Sequence, residues 1–169
     1  MSGPAAVVRT TALSLGEWHI SADPEESLAC IGLGSCVAFV AWDPVTGLAG
    51  MAHMVLPDST QGRESATAPA KFVDTAIPLV VDRMTARGAR RERLRIHLVG
   101  GAGMLQGVQR TNSMNIGERN TIAARAAVRA LGLRVYAEAT GGGHGRTVRL
   151  SVADGSMTIS SPGSSAVAA

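Results

Sequence analysis

The sequence predicts a single α/β domain in which mixed or antiparallel β-sheets pack against helices. Three observations predict it. Segments rich in strand-forming residues and joined by tight turns stand towards both ends of the chain, at 36–56 and 147–159. Only two long segments, 71–86 and 115–132, space their apolar residues as a helix does. No linker or shift in composition divides the 169 residues. A doubly wound nucleotide fold, with strand and helix in strict alternation, does not fit that order.

Each element carries a local signal. Residues 27–30, "SLAC", end a short strand before a glycine turn. "CVAFVAW", 36–42, is β-branched and aromatic and reads as a strand. In the turn "DPVTG", Pro44 fixes φ and Gly47 permits a positive one. "LAGMAHMVL", 48–56, completes a hairpin and stops at Pro57, before the polar loop 58–69. Phe72, Val73, Ala76, Ile77, Val80, Val81 and Met84 then share one helical face, with Pro78 marking a kink or break. "LRIHLVGGAG", 94–103, is a strand running into a glycine turn. A second helix enters near Asn115 and stops at Gly132. Residues 133–139 alternate as a strand, 140–146 form a glycine loop, and 147–159 close as a hairpin turning at Asp154-Gly155. The domain spans 11–159, with 1–10 and 160–169 as flexible termini.

Composition narrows the function classes. Hydrophobic residues make up 46% and charged residues 17%, a balance that builds a packed core. No apolar run approaches the ~18 residues of a membrane span. The first twenty residues lack a charged stretch followed by a long apolar one, so neither signal peptide nor membrane insertion is expected, and the chain reads as cytoplasmic. Two cysteines make no disulfide framework and read as free thiols. Net charge is +3, every basic residue except Lys71 is Arg, and the densest run is "RGARRERLR", 87–95. Aromatics are only 3%, too few to interleave stacking rings with that charge. No nucleic-acid partner is expected; the run reads as a solvated helix end and loop, with an acidic partner surface as its remaining use.

The chemistry centres on "GLGSCV", 32–37, which sets Cys36 after a Gly-x-Gly turn and before an apolar run. If the hairpin turns near Val45, Cys36 lies across from about Met54, and His53 is within one residue of that position. Opposed Cβ atoms sit about 5 Å apart, so a bulge or an adjusted register would join thiol to imidazole. An imidazole promotes the nucleophilic thiolate. Gly32 and Gly34 permit a sharp turn that frees the amides around Ser35 and Cys36 for an oxyanion. Against this stands the plainer reading of Cys36 as a buried small hydrophobe. Cys30 opens two more. Cys30, Cys36, His53 and His144 could ligate zinc, although Cys-x5-Cys departs from the usual finger spacing. A Cys30–Cys36 disulfide fits around the glycine turn, but a reducing compartment opposes it. His97 reads as a packed or edge residue, and His19 has no visible partner. "GGAG" and "TGGGHG" lack the Lys-Ser/Thr and following helix of a phosphate loop, and no cofactor is expected.

The stretches "GLGSCVAFVAWDP", "GLAGMAHMVLPDS", "KFVDTAI", "VGGAGML", "NIGERN" and "GGGHGR" occur here in order. In these the sequence resembles the CheD family of chemoreceptor glutamine deamidases, from about residue 13 to 159. The resemblance implies an α/β fold with a β-sandwich-like core flanked by helices, shared with deamidating bacterial toxins. It implies a cysteine hydrolase with Cys36 as nucleophile and His53 as general base, and with backbone near Gly34 and Ser35 holding the oxyanion. The implied substrates are glutamines on chemoreceptor cytoplasmic helices, converted to glutamate; glutamyl methyl esters are a further implied substrate. An implied partner is a CheC-type phosphatase, and a copy serving only to bind it is the alternative function. Two positions depart from the family. Cys30 stands where a threonine usually completes the triad by orienting the histidine, and Ala139 stands where an aspartate is usual.

Overall fold

Strand pairing sorts the chain into two five-stranded sheets, with two helices covering the outer face of one. The computed structural model describes residues 8–103, 115–164 and 166–169. In chain order the strands are β1 (Arg9–Ala12), β2 (Trp18–Ser21), β3 (Glu26–Leu33), β4 (Val37–Trp42), β5 (Ala49–Met54), β6 (Arg95–Gly100), β7 (Val135–Thr140), β8 (Arg146–Ser151), β9 (Met157–Ser160) and β10 (Val167–Ala168). The helices are α1 (Val73–Ala86) and α2 (Ile116–Ala130). The first sheet has the order β1-β3-β8-β9-β10 and the second β2-β5-β4-β6-β7. Both are mixed: β1 with β3 and β6 with β7 run parallel, and the other pairs are antiparallel.

The layering follows from β4, which is buried on both faces. Val37, Phe39 and Ala41 pack towards α1 and α2, with Ile77, Val80 and Val128. Ala38, Val40 and Trp42 pack towards the first sheet, with Leu28, Val148 and Leu150. A strand covered twice reads as a continuous apolar run rather than an alternation, which is why "VAFVAW" is legible. The result is the mixed α/β arrangement expected, a sandwich-like pair of sheets flanked by helices. Full burial of side chains such as Phe39, Leu28 or Ile77 contributes about 1.5–3 kcal/mol each.

Several expectations need correction. The segment read as a short strand at 27–30 continues to Leu33, because the ladder with β8 shifts register between Cys30 and Leu33. Gly32 takes φ +68° within that irregularity, and its amide donates to Thr147 Oγ1 at 3.1 Å. The termini read as flexible are partly paired: Arg9 and Thr10 join β3, and Val167 and Ala168 join β9. "RTTA" and "VA" are short, exposed edge strands held by ladder bonds, so no apolar pattern announces them. β2 is likewise a short edge strand, though Ser21 is buried and Ile20 packs on the core. Pro78 lies inside α1 without ending it; the residue whose carbonyl it leaves without a helical donor, Asp74, is exposed. Nor is the basic run wholly solvated. Arg93 donates to the fully buried Asp43 at 2.7 Å through Nη2 and 3.0 Å through Nε, clamping the β4–β5 turn.

The cap of α2 is as the sequence suggests. The Asn115 side chain accepts the Glu118 amide at 2.9 Å, and Gly132 ends the helix region at φ +70°. Met104 and Leu105, the last residues of the stretch "VGGAGML", lie outside the described residues.

Candidate active site

The β4–β5 register brings the cysteine and the histidine to one face. Val37 pairs with Met54, and Ala38 pairs with His53. Cys36, one residue before β4, therefore extends the ladder opposite Val55, not opposite Met54 as the turn-centre arithmetic places it. The slip of one residue matters because side chains alternate in facing. In the expected register His53 turns away from Cys36 unless a bulge intervenes. In the observed register Cys36, Ala38 and His53 all face the first sheet with no bulge, and Cys36 is the diagonal cross-strand neighbour of His53. Such pairs lie about 7–8 Å apart at Cα, within reach of a ring.

His53 is 4% exposed, and a loop from the N-terminal region holds it. Its Nδ1 lies 3.0 Å from the Leu13 carbonyl oxygen. A carbonyl only accepts, so Nδ1 carries the hydrogen and Nε2 of the neutral ring is a bare base. On the backbone, Gly16 N–H donates to His53 O at 2.8 Å, and His53 N–H donates to Glu17 O at 2.9 Å. A sequence pattern cannot reveal Leu13 in this role, because any residue supplies a carbonyl.

Cys36 is half-buried, with its backbone fastened on three successive carbonyls. Gly34 O accepts from Ala102 N–H and Cys36 O accepts from Gly101 N–H, each at 2.8 Å. Ser35 O accepts from Asn120 Nδ2 at 2.9 Å. The amides of Gly34, Ser35 and Cys36 donate to no backbone carbonyl among the described residues. A Cβ at Gly100 would sit 2.2 Å from Cys36 O, so the close crossing of these backbones needs glycine there. Burial raises the Cys36 thiol above its ordinary range, opposed by a hydrogen bond from its own amide. On this balance the thiolate form of Cys36 is disfavoured.

Cys30 shares the between-sheet core with Leu28, Leu33 and Ala38 and is fully buried. Burial, with a smaller contribution from Cys36, pushes its thiol up to about 12. Among the described residues it makes no hydrogen bond to His53; the bond a family threonine would be expected to make is made here by Leu13 O. Both cysteines are free. His144 is exposed on the 141–145 loop, and no group of three or more His, Cys, Asp or Glu among the described residues is spaced to hold a metal ion. Cys30, Cys36, His53 and His144 therefore do not form the zinc set the sequence leaves open. His19, without a partner in the sequence reading, meets Glu26 at 3.3 Å.

The glycine loop is tied to the site. Gly141 N–H donates to Gly100 O at 3.0 Å, Gly142 O accepts from Gly103 N–H at 2.8 Å, and Arg146 Nη1 donates to Gly141 O at 2.8 Å. Ala139 packs against the between-sheet core, and nothing in the structure explains its replacing an aspartate. An apolar cavity of about 330 Å³, lined by His97, Val99, Ala139, Met157, Ile159 and Val167 among others, does not include Cys36 or His53. No described helix is long and apolar enough to cross a membrane.

Asn120 went unassigned in the sequence although it closes the stretch "NIGERN". It is fully buried on the stripe of α2 that carries Gly117, Thr121 and Ala124. A polar residue on a buried stripe is the signal that could have found it.

Known proteins resemble the chain throughout. Residues 55–161 match the family described as CheD chemotactic sensory transduction. A probable chemoreceptor glutamine deamidase CheD of Symbiobacterium thermophilum is 40% identical over 155 residues, 92% of this chain and 94% of that protein. The chemoreceptor glutamine deamidase CheD of Halalkalibacterium halodurans is 40% identical over 125 residues, 74% of this chain and 77% of that protein. The probable deamidase of Methanococcus vannielii is 44% identical over 128 residues, 75% of this chain and 80% of that protein. Among solved structures, the hypothetical protein YfiH of Bacillus licheniformis shares a TM-score of 0.45 and 15% identity, over 79% of this chain and 60% of that one.

Proposed function

The chain belongs to the CheD family, and on that premise we propose that it deamidates glutamine side chains of chemoreceptors with Cys36 as nucleophile and His53 as base. One observation carries the reading: Cys36 and His53 share a sheet face while Leu13 O fixes the His53 tautomer that leaves Nε2 free.

The steps follow from the protonation states. His53 Nε2 takes the Cys36 proton as Sγ attacks the carboxamide carbon. The carbonyl oxygen becomes an oxyanion, held by the amides around Gly34, Ser35 and Cys36. The C–N bond breaks, and the imidazolium gives its proton to the departing ammonia, leaving a thioester. His53 then takes a proton from water, the hydroxide adds to the thioester, and the Cys36 thiol leaves with that proton. The product is glutamate. A glutamyl methyl ester offers the same acyl carbon and would follow the same path with methanol as leaving group. Substrates of this kind lie on the cytoplasmic helices of receptors, which is where the protein would act.

A second reading, a binding module that pairs with a CheC-type phosphatase, is favoured by Cys30, whose buried thiol offers His53 no bond. Mass spectrometry of a cognate receptor cytoplasmic fragment separates the two. Wild-type protein is expected to convert Gln to Glu. Cys36→Ala is expected to abolish the conversion, and His53→Ala to slow it by roughly 10²–10⁴-fold. Conversion that persists in Cys36→Ala would refute the nucleophile, and no conversion by the wild type would leave the binding module.

A further inference from the structure

We infer that Asn120 is the positioning residue of the oxyanion site: it holds the Ser35 carbonyl on the helix side, so that the Cys36 amide faces the reacting carbonyl. The inference rests on the assignment of Cys36 as nucleophile.

The geometry runs through one peptide plane. The Ser35–Cys36 peptide is trans, and in a trans unit the C=O and the next N–H point in opposite directions. Asn120 stands on α2, on the helix side of the second sheet, and draws Ser35 O towards itself at 2.9 Å. The Cys36 N–H is thereby turned towards the first sheet, the face on which Cys36 and His53 lie. That amide is close enough to the Cys36 thiol to favour its thiolate. The oxyanion on the tetrahedral carbon bonded to Sγ would lie in front of the same amide.

The second hydrogen of Asn120 Nδ2 goes to Val55 O at 2.9 Å. Val55 stands opposite Cys36, so one side chain fastens both strands at the nucleophile. The Asn120 Oδ1 atom is buried without a partner among the described residues. Turning the amide over would set Oδ1 against two carbonyl oxygens, so the two accepted bonds fix which way it points. A side chain present only to fill space would not carry an unpaired buried acceptor. The neighbouring carbonyls of Gly34 and Cys36 are held by the backbone amides of Ala102 and Gly101. Asn120 is therefore the side chain through which this alignment can be tested.

The test compares wild type, Cys36→Ala, Asn120→Ala and Asn120→Leu on a receptor cytoplasmic fragment. Leucine has the same branched shape and no donors, and it covers the case in which alanine leaves a cavity that unfolds the protein. For the folded Asn120 variants, kcat is expected to fall roughly 10²-fold with KM changed less than about twofold. A peptide aldehyde, with the glutamine carboxamide replaced by CHO, adds the Cys36 thiol across its C=O and forms an oxygen in the same position. Its affinity is expected to fall by the same factor as kcat. Alkylation of Cys36 by iodoacetamide, which forms no oxyanion, is expected to slow far less than kcat, since it loses only the amide's support for the thiolate. Wild-type kcat in Asn120→Leu would overturn the inference, as would alkylation falling in step with kcat, since the whole loop would then have collapsed. Turnover by Cys36→Ala would instead refute the nucleophile, a separate failure.

Discussion

Burial disfavours the Cys36 thiolate more than its own amide supports it. A raised thiol pKa means that the thiolate fraction keeps growing with pH beyond the range in which an ordinary cysteine is already ionised. Alkylation by iodoacetamide, followed by mass spectrometry at Cys36, is therefore expected to be slow near neutral pH and still rising above pH ~9. A rate that levels off by about pH 7 would mean a standing thiolate paired with His53⁺ and would remove the need for base-assisted attack. The Cys–His pair was legible because each residue sits in a short, distinctive stretch of its own strand. Leu13 was not, since its contribution is a main-chain oxygen. Cys30 was read for its side chain, yet it lies in the core beside Leu28 and Leu33, and it is the main-chain oxygen of Leu13 that meets His53.

At the level of elements, the β4–β5 hairpin shows where sequence reading stops. Strand types and turn residues were plain, but the register depends on how many residues the turn uses. Trp42 pairs with Ala49, and Asp43 N–H still donates to Leu48 O at 2.9 Å, so the centre falls one half-step past Val45. That half-step decides which face His53 takes. The edge strands β1, β2 and β10 were missed because ladder bonds order them without an apolar stripe. The start of α2 was read from its cap, but its closeness to Cys36 was not. A Cβ on Gly117 would lie 2.4 Å from Ala102 O and 2.7 Å from Gly101 O, both backbone atoms in the turn that binds Gly34 O and Cys36 O. Gly117→Ala is expected to destabilise by about 1–3 kcal/mol and, well below its melting temperature, to lower kcat on the receptor fragment. Urea unfolding and single-turnover assays check the two effects. An alanine variant with wild-type stability would show that α2 can move away from the turn freely.

Across the whole molecule, the site and the strongest ion pair sit at opposite ends of the same hairpin. Cys36 stands before the first residue of β4, while Asp43 follows its last and is clamped by Arg93. Burial by itself would raise the Asp43 carboxyl. The Arg93 hydrogen bonds, the amides of Val45 and Arg90 and the Arg93 charge together hold it far below the usual carboxylate range. Because the folded pKa is depressed, the stabilisation is fully present above the unfolded value of ~3.9 and is lost as pH falls from there through the folded value. Asp43→Asn removes the charge and leaves Arg93 without its partner, which is expected to lower stability at neutral pH. Its stability should then depend less on pH below about 4 than that of the wild type, so the gap between them narrows in acid. Urea titrations at neutral pH and near pH 3 measure both quantities. Deamidation by the folded Asn variant is expected to stay within about twofold of wild type, since Leu13, Asn120 and the glycine turn hold the site without Asp43. A gap that widens as the pH falls would reverse the sign of the linkage, and a large loss of kcat in the folded variant would mean that the turn and Cys36 move together.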